Sequence, residues 1–206
     1  MKARVLLADD HSITLSGMRS VIGQEHELIG AVADGRTLVS EALRLRPQLI
    51  ILDISMPMLN GIEAARKIHQ VWPQAKFLFI SMHSNAMYVR EAMSTGASGY
   101  ILKSSAAEEL LPAIQTILSG GVYVSRSLGP GAVETVSSRA AHGLTSRQRE
   151  VLQLIAEGRS SKEVAGILGT SVKTANFHRY QLKKKLGVRS IAELAAFAVR
   201  RGLVSE

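Results

Sequence analysis

The sequence predicts an α/β domain on a doubly wound, five-stranded parallel sheet, followed by a small all-α module of four helices. Three observations carry this prediction. Short apolar runs alternate with helix-length segments five times over residues 1–118. The runs, such as QLIIL before Asp53, are mostly unbroken by charge, as strands buried on both faces require. Past residue 143 the pattern changes to helical segments opened by hydroxyl residues and closed by glycines.

Each element follows in order. The apolar runs place strands at 4–8, 28–33, 48–52, 76–81 and 99–102. Between and after them lie helix-length segments at about 12–24, 35–45, 62–72, 85–96 and 106–119. In the first of these, Leu15, Met18 and Ile22 recur with the spacing of one helix face. Repeated strand–helix alternation implies right-handed crossovers with helices on both faces of the sheet. Domain one therefore spans 1–119. Residues 120–143, rich in Gly and Ser with one Gly-Pro-Gly, read as a linker with a short helix near Ala132–Ser138.

The second domain, 144–206, divides into helices at 146–157, 161–168, 172–186 and 191–201. Thr145, Ser160, Ser171 and Ser190 serve as N-caps, and Gly158, Gly169, Gly187 and Gly202 as stops. Thr145 with Gln148, and Ser160 with Glu163, have capping-box spacing. Only Gly169-Thr170-Ser171 joins the second helix to the third, which is the tight connection of a helix-turn-helix.

Charge separates the two domains. Residues 1–120 carry 11 Lys+Arg against 11 Asp+Glu, whereas residues 143–206 carry 12 against 5, with no aspartate. A polyanionic partner for the C-terminal domain alone is the implication. The chain has no cysteine, so a disulfide framework and a thiolate metal site are both excluded. No apolar run reaches the ~18 residues of a membrane span, and the start MKARVLLADD lacks the pattern of a secretory signal. A cytoplasmic protein with no membrane partner is expected.

Four predicted strand ends carry chemistry: Asp9-Asp10, Asp53, Ser81 and Lys103. In a parallel α/β sheet, ligands gather outside the carboxyl ends of the strands. Asp10 and Asp53 can supply two hard oxygen ligands to Mg²⁺, with Asp9 behind them or acting through water. The cation offsets the carboxylates' mutual repulsion and polarises an incoming phosphoryl group. An aspartate can attack phosphorus and become an acyl phosphate. Lys103 and the Ser81 hydroxyl are then placed to hold phosphoryl oxygens.

The segments VLLADDH, LIILDISMPMLNG, FISMHS and GASGYILK resemble the receiver domain of two-component response regulators, over residues 1–119. The resemblance implies a flavodoxin-like fold in which Asp53 takes phosphate from a histidine kinase. It further implies Mg²⁺ held by Asp10, Asp53 and the Ser55 backbone carbonyl, and a switch pair of Ser81 and Tyr100. Met82 follows Ser81 where many receivers have alanine, which narrows access to the phosphate.

On a helical wheel of 171–186, Ala175, His178, Leu182 and Leu186 face inward, and Lys173, Asn176, Phe177, Tyr180 and Lys184 face outward. That outward set suits a major groove, with Arg179, Lys183, Lys185 and Arg189 flanking it to meet phosphates. A protein interface is the other use for Phe177 and Tyr180. His178, with no second ligand near it in sequence, reads as a packed histidine. The string LTSRQREVLQLIAEGRSSKEVAGILGTSVKTANFHRYQLKKKLGV resembles the LuxR-type helix-turn-helix, over about 144–203. Thr174 joins the DNA-contacting set on that resemblance. Gln148, Ala175 and Asn176 depart from the family's usual glutamate, valine and charged residue.

The last helix offers Ile191, Leu194, Ala195, Ala198 and Val199 as an apolar stripe. This stripe packs inside its own module or, as the resemblance implies, contributes Leu194, Ala195 and Ala198 to a homodimer on double-stranded DNA. The whole chain resembles a NarL/FixJ-type response regulator. Its receiver is expected to cover the groove-reading face or the dimer helix until phosphorylation releases it. A constitutive DNA-binding regulator and a Mg²⁺-dependent aspartyl-phosphate phosphohydrolase are the alternatives, the latter with His83 as its acid/base.

Overall fold

The structure, a computed structural model, describes residues 2–128, 144–200 and 203–204. The expected helix near Ala132–Ser138 and the stop at Gly202 lie outside them. The first domain runs β1 (Arg4–Ala8), α1 (Ser12–Glu25), β2 (Glu27–Val32), α2 (Gly35–Leu45), β3 (Leu49–Asp53), α3 (Gly61–Val71), β4 (Phe77–Ser81), α4 (Ala86–Met93), β5 (Gly99–Leu102) and α5 (Ala106–Leu118). A short 3₁₀ turn, Lys103–Ser105, lies between β5 and α5. The sheet is parallel throughout, in the order β2-β1-β3-β4-β5-β6. Its sixth strand, β6 (Tyr123–Val124), is an addition to the expected five. It is cut from the N-terminal part of the segment read as linker and pairs with Gly99 and Tyr100.

Alternation along the strands divides the core in two. Leu6, Ile50, Leu52, Phe77 and Phe79 pack towards α2, α3 and α4 with Leu38, Ile62, Ala65 and Val89. Val5, Leu7, Ile51, Leu78 and Ile80 pack on the other face with Met18 and Ile22 of α1 and with Ile114 and Ile117 of α5. Every residue of β3 and β4 is buried, which is why their sequences show no polar face. Asp34, Asn60 and Asn85 cap α2, α3 and α4 through their side chains.

The second domain comprises α6 (Ser146–Ala156), α7 (Ser161–Ile167), α8 (Val172–Leu186) and α9 (Ile191–Arg200). Both expected capping boxes form, at Thr145/Gln148 and Ser160/Glu163. The Gln148 amide oxygen accepts from the Thr145 amide at 3.0 Å, so it fills the place of the family's usual glutamate. Val151, Leu152, Val164, Ala175 and Leu182 form the module's core. Leu194 and Ala198 are also fully buried there, packed within the same cluster. That corrects their assignment to a dimer surface: the apolar stripe of α9 is spent inside the module. Ala195 is half-buried, and the exposed positions of α9 are Ile191, Ala192, Glu193 and Ala196.

The turn after β3 packs closely against the start of α3. A Cβ added at Gly61 would lie 2.0 Å from the Asp53 carbonyl oxygen. Neither backbone segment can yield without moving the strand end that carries Asp53. Gly61→Ala should therefore destabilise the receiver by about 1–3 kcal/mol. Urea unfolding followed by the fluorescence of the single tryptophan, Trp72, measures it.

Candidate functional site

The strand order makes β1, β3, β4 and β5 consecutive neighbours, so four loops at their carboxyl ends meet at one edge. Asp9 and Asp10 follow β1, Asp53 and Ser81 end β3 and β4, and Lys103 follows β5. The structure brings all five to this edge. Asp9 and Ser81 are fully buried and Asp53 nearly so. The Lys103 ammonium lies 2.7 Å from Asp9 Oδ2 and 2.7 Å from Asp53 Oδ2. Asp53 Oδ1 accepts from the Ile54 amide at 2.6 Å.

The electrostatics follow from crowding carboxylates in a shielded place. Burial pushes the Asp53 carboxyl up, and Asp9 adds to this while Lys103 pulls it down. Burial lowers Lys103, but its two carboxylate neighbours outweigh that and raise it, so the ammonium stays charged. One ammonium therefore serves two buried carboxylates, and Asp10 brings a third carboxylate to the same edge.

His11 was not singled out from the sequence. Its Nδ1 lies 2.8 Å from Asp10 Oδ1 and 3.2 Å from Asp9 Oδ1. Ligand atoms of Asp9, Asp10, His11 and Asp53 all fall within 4.8 Å of one another. Its only sequence signal is its place directly after the acidic pair.

The expected switch residues meet at His83. The Ser81 hydroxyl accepts from the His83 amide at 3.2 Å, and Tyr100 Oη donates to the His83 carbonyl at 2.6 Å. Tyr100 is fully buried, its ring already turned inward, and burial pushes its phenol well above the usual range. The His83 ring stacks on Tyr88 at 4.2 Å, with Nε2 3.1 Å from Ser55 Oγ. Ser55, Met82 and Lys103 share a cavity with Asp53, and Met82 stands 73% exposed at its mouth.

Lys173, Asn176, Phe177, Tyr180 and Lys184 are exposed on α8, as expected of a groove-reading face. Thr174 and Lys183 are half-buried, and Thr174 Oγ1 lies 2.9 Å from Ser171 Oγ at the cap. Arg179 is turned towards α7, donating to Ser161 Oγ at 3.1 Å. His178 is half-buried with its ring edge-on to Phe177.

The two domains touch through α6. Gln153, fully buried, donates from Nε2 to the Met56 carbonyl at 2.9 Å and accepts from the Asn60 amide at 2.8 Å. Arg149 pairs with Glu63, which also pairs with Arg66. Glu150 pairs with Lys67 at 2.9 Å and with Arg36 at 3.3 Å. Glu157 Oε1 accepts from the Met58 amide at 3.1 Å. Met58 holds φ of 67°, a left-handed conformation that disfavours a side chain. Its strain sits where the two domains meet. The docked receiver therefore holds α6 and leaves the outward face of α8 open. This corrects the expectation of a covered groove-reading face: the docking surface is the polar side of α6.

Two family models match the chain. The response regulator receiver domain covers residues 5–115, and the bacterial regulatory proteins of the luxR family cover residues 142–198. The chain belongs to the response regulators. It is 37% identical to the transcriptional regulatory protein MctR of Rhizobium johnstonii, over all of this chain and 97% of that protein. It is 31% identical to the oxygen regulatory protein NreC of Staphylococcus aureus, over 98% of this chain and 99% of that one. The structure resembles that of RcsB from Salmonella enterica serovar Typhimurium bound to promoter rprA in the presence of the phosphomimetic BeF₃⁻. There the TM-score is 0.64 at 27% identity, covering 96% of this chain and 98% of that one. A receiver joined to a LuxR-type DNA-binding domain makes this a response regulator of the phosphorylation-controlled, DNA-binding kind. Among the described residues no helix is long and apolar enough to cross a membrane.

The bridge made by Gln153 yields a test. Gln153→Ala leaves the Asn60 amide and the Met56 carbonyl without their partner in the docked form, which costs about 1–3 kcal/mol. Docking should weaken accordingly, and small-angle scattering should show a larger radius of gyration than the wild type. An unchanged profile would mean that the charge pairs hold the domains together without the bridge.

Proposed function

We propose that this protein is a cytoplasmic transcription regulator whose Asp53 accepts a phosphoryl group from a histidine kinase and thereby controls DNA binding by α8. The observation that carries this reading is the meeting of Asp9, Asp10, Asp53, Ser81 and Lys103 at one sheet edge, in a chain whose α8 exposes Lys173, Asn176, Tyr180 and Lys184.

Mg²⁺ fits the pocket, because the donors are hard oxygens: the Asp10 and Asp53 carboxylates and the Ser55 carbonyl, with Asp9 behind them. When bound, the cation neutralises the carboxylates and draws charge from the phosphoryl oxygens. The Asp53 carboxylate attacks the phosphorus of a phosphohistidine, the P–N bond breaks and the imidazole leaves. Lys103 Nζ, already against Asp53, holds one phosphoryl oxygen. The Ser81 hydroxyl donates to another. Because Ser81 and Tyr100 both bond to the His83 backbone, a shift of one is passed to the other.

Phosphorylation adds roughly a further unit of negative charge and three strong acceptors beside the β3–α3 loop. That loop is also the one Gln153 and Glu157 grip. Weakening the grip frees the module to dimerise on DNA, where two recognition helices lie about one turn apart. The buried Leu194 and Ala198 leave Ile191, Ala192 and Ala196 of α9 as the surface for that contact. His83, the acid/base that a phosphohydrolase would need, has its ring stacked on Tyr88 and its Nε2 against Ser55 Oγ.

Two measurements test this reading. With Mg²⁺ and beryllofluoride, the wild type should shift in sedimentation velocity from monomer to dimer, and Asp53→Asn should not; a variant that shifts equally would sink the assignment. In anisotropy titrations, Lys184→Ala should weaken binding to all duplexes and lower the slope of log affinity against log salt by about 1.

A further inference from the structure

Docking and groove reading use opposite sides of the DNA-binding module. On α6, Val151, Leu152 and Ile155 turn into the module's core, while Glu150 and Gln153 meet the receiver. At about 100° per residue these two sets stand on opposing sides of the helix. On α8, Ala175 and Leu182 enter the same core, and Lys173, Asn176, Phe177, Tyr180 and Lys184 are exposed away from it. Phe177 and Tyr180 stand 57% and 63% exposed with the receiver in place. The module's core thus lies between the docked receiver and the groove-reading face. The hydrogen bonds and ion pairs that join the domains fall on α6 and its C-cap Glu157, and neither Lys173 nor Lys184 is used in them. Residues 1–120 carry 11 Lys+Arg against 11 Asp+Glu, so the docked receiver brings no net charge to repel a polyanion.

We propose that the unphosphorylated, docked chain already reads one DNA half-site through α8, and that phosphorylation governs the pairing of two modules rather than access to the groove. The proposal rests on α8 as the groove-reading helix and deepens the regulation of that same surface. Pairing is where the gain in affinity lies, because a second module held beside the first binds its half-site intramolecularly, a gain of about 100- to 10,000-fold. An occluding receiver would behave differently. Docked in about 99% of molecules, it would weaken affinity for a single half-site roughly a hundredfold until released. Linkage gives the same distinction from the DNA side: DNA that shares the module with the receiver leaves docking unchanged, and DNA that competes with the receiver undocks it.

The test titrates the unphosphorylated full-length protein, with Mg²⁺, into a fluorescein-labelled random-sequence duplex of about ten base pairs, which has room for one module. By anisotropy, wild type and Asp53→Asn should bind it with the same dissociation constant, and beryllofluoride should leave the wild-type value unchanged. Lys184→Ala should weaken binding equally with and without beryllofluoride. Amide hydrogen exchange then reads docking: residues 56–60 should exchange equally slowly with and without the duplex. Binding that appears only with beryllofluoride, or a duplex that speeds exchange at 56–60, overturns the proposal. A Lys184→Ala variant that binds as the wild type does would instead overturn the reading of α8 on which the proposal rests. Wild-type exchange at 56–60 indifferent to beryllofluoride would overturn release on phosphorylation and leave half-site reading by the docked chain intact.

Discussion

One ammonium between two buried carboxylates is the constraint on which this molecule turns. Lys103 satisfies Asp9 and Asp53 at once, and among the described residues it is the cation that pairs with Asp53. A site balanced this way is stable without ligand yet keeps excess negative potential. On the proposed reading, that potential is what would hold a divalent cation beside an incoming phosphoryl group. The parallel sheet is what makes the arrangement possible. Its order sets the ends of β1, β3, β4 and β5 side by side, so no long loop is needed to gather the five groups.

The same loop that ends β3 is asked to serve both domains. Asp53 closes the strand, Ser55 lines the pocket, and Met56, Met58 and Asn60 bond to the DNA-binding module within the next few residues. Asn60 does double duty, since its side chain caps α3 while its amide meets Gln153. On the proposed mechanism, a change of charge at Asp53 needs no distant relay to reach the domain contact. The contact is correspondingly polar. Its buried ion pairs recover little beyond their own desolvation, and each neutral hydrogen bond contributes about 0.5–1.5 kcal/mol net.

The sequence made the strands and their terminal residues readable because buried parallel strands leave continuous apolar runs. The helix caps of the second domain were equally plain, since a hydroxyl can satisfy the first-turn amides. β6 escaped because two residues, Tyr123 and Val124, carry no periodicity. The docking surface escaped for a different reason. Arg149, Glu150 and Gln153 look like the solvated side of an amphipathic helix, and only the fold shows Glu150 and Gln153 to be buried. Leu194 and Ala198 show the converse. An apolar stripe on a terminal helix fits a core or an interface equally well, and here the core takes it.

Magnitudes favour a switch with a shallow bias over a lock. Moving a two-state equilibrium from 1:99 to 99:1 requires about 5.5 kcal/mol. A contact of a few hydrogen bonds and ion pairs whose attraction is largely offset by desolvation, with Met58 held in a strained conformation, lies within reach of that figure. An apolar interface of the same size would bind harder and would not notice one added phosphoryl group. On the proposed mechanism, the polar character of α6's outer side, uninformative as sequence, is what would let a phosphoryl group at Asp53 shift the DNA-binding module.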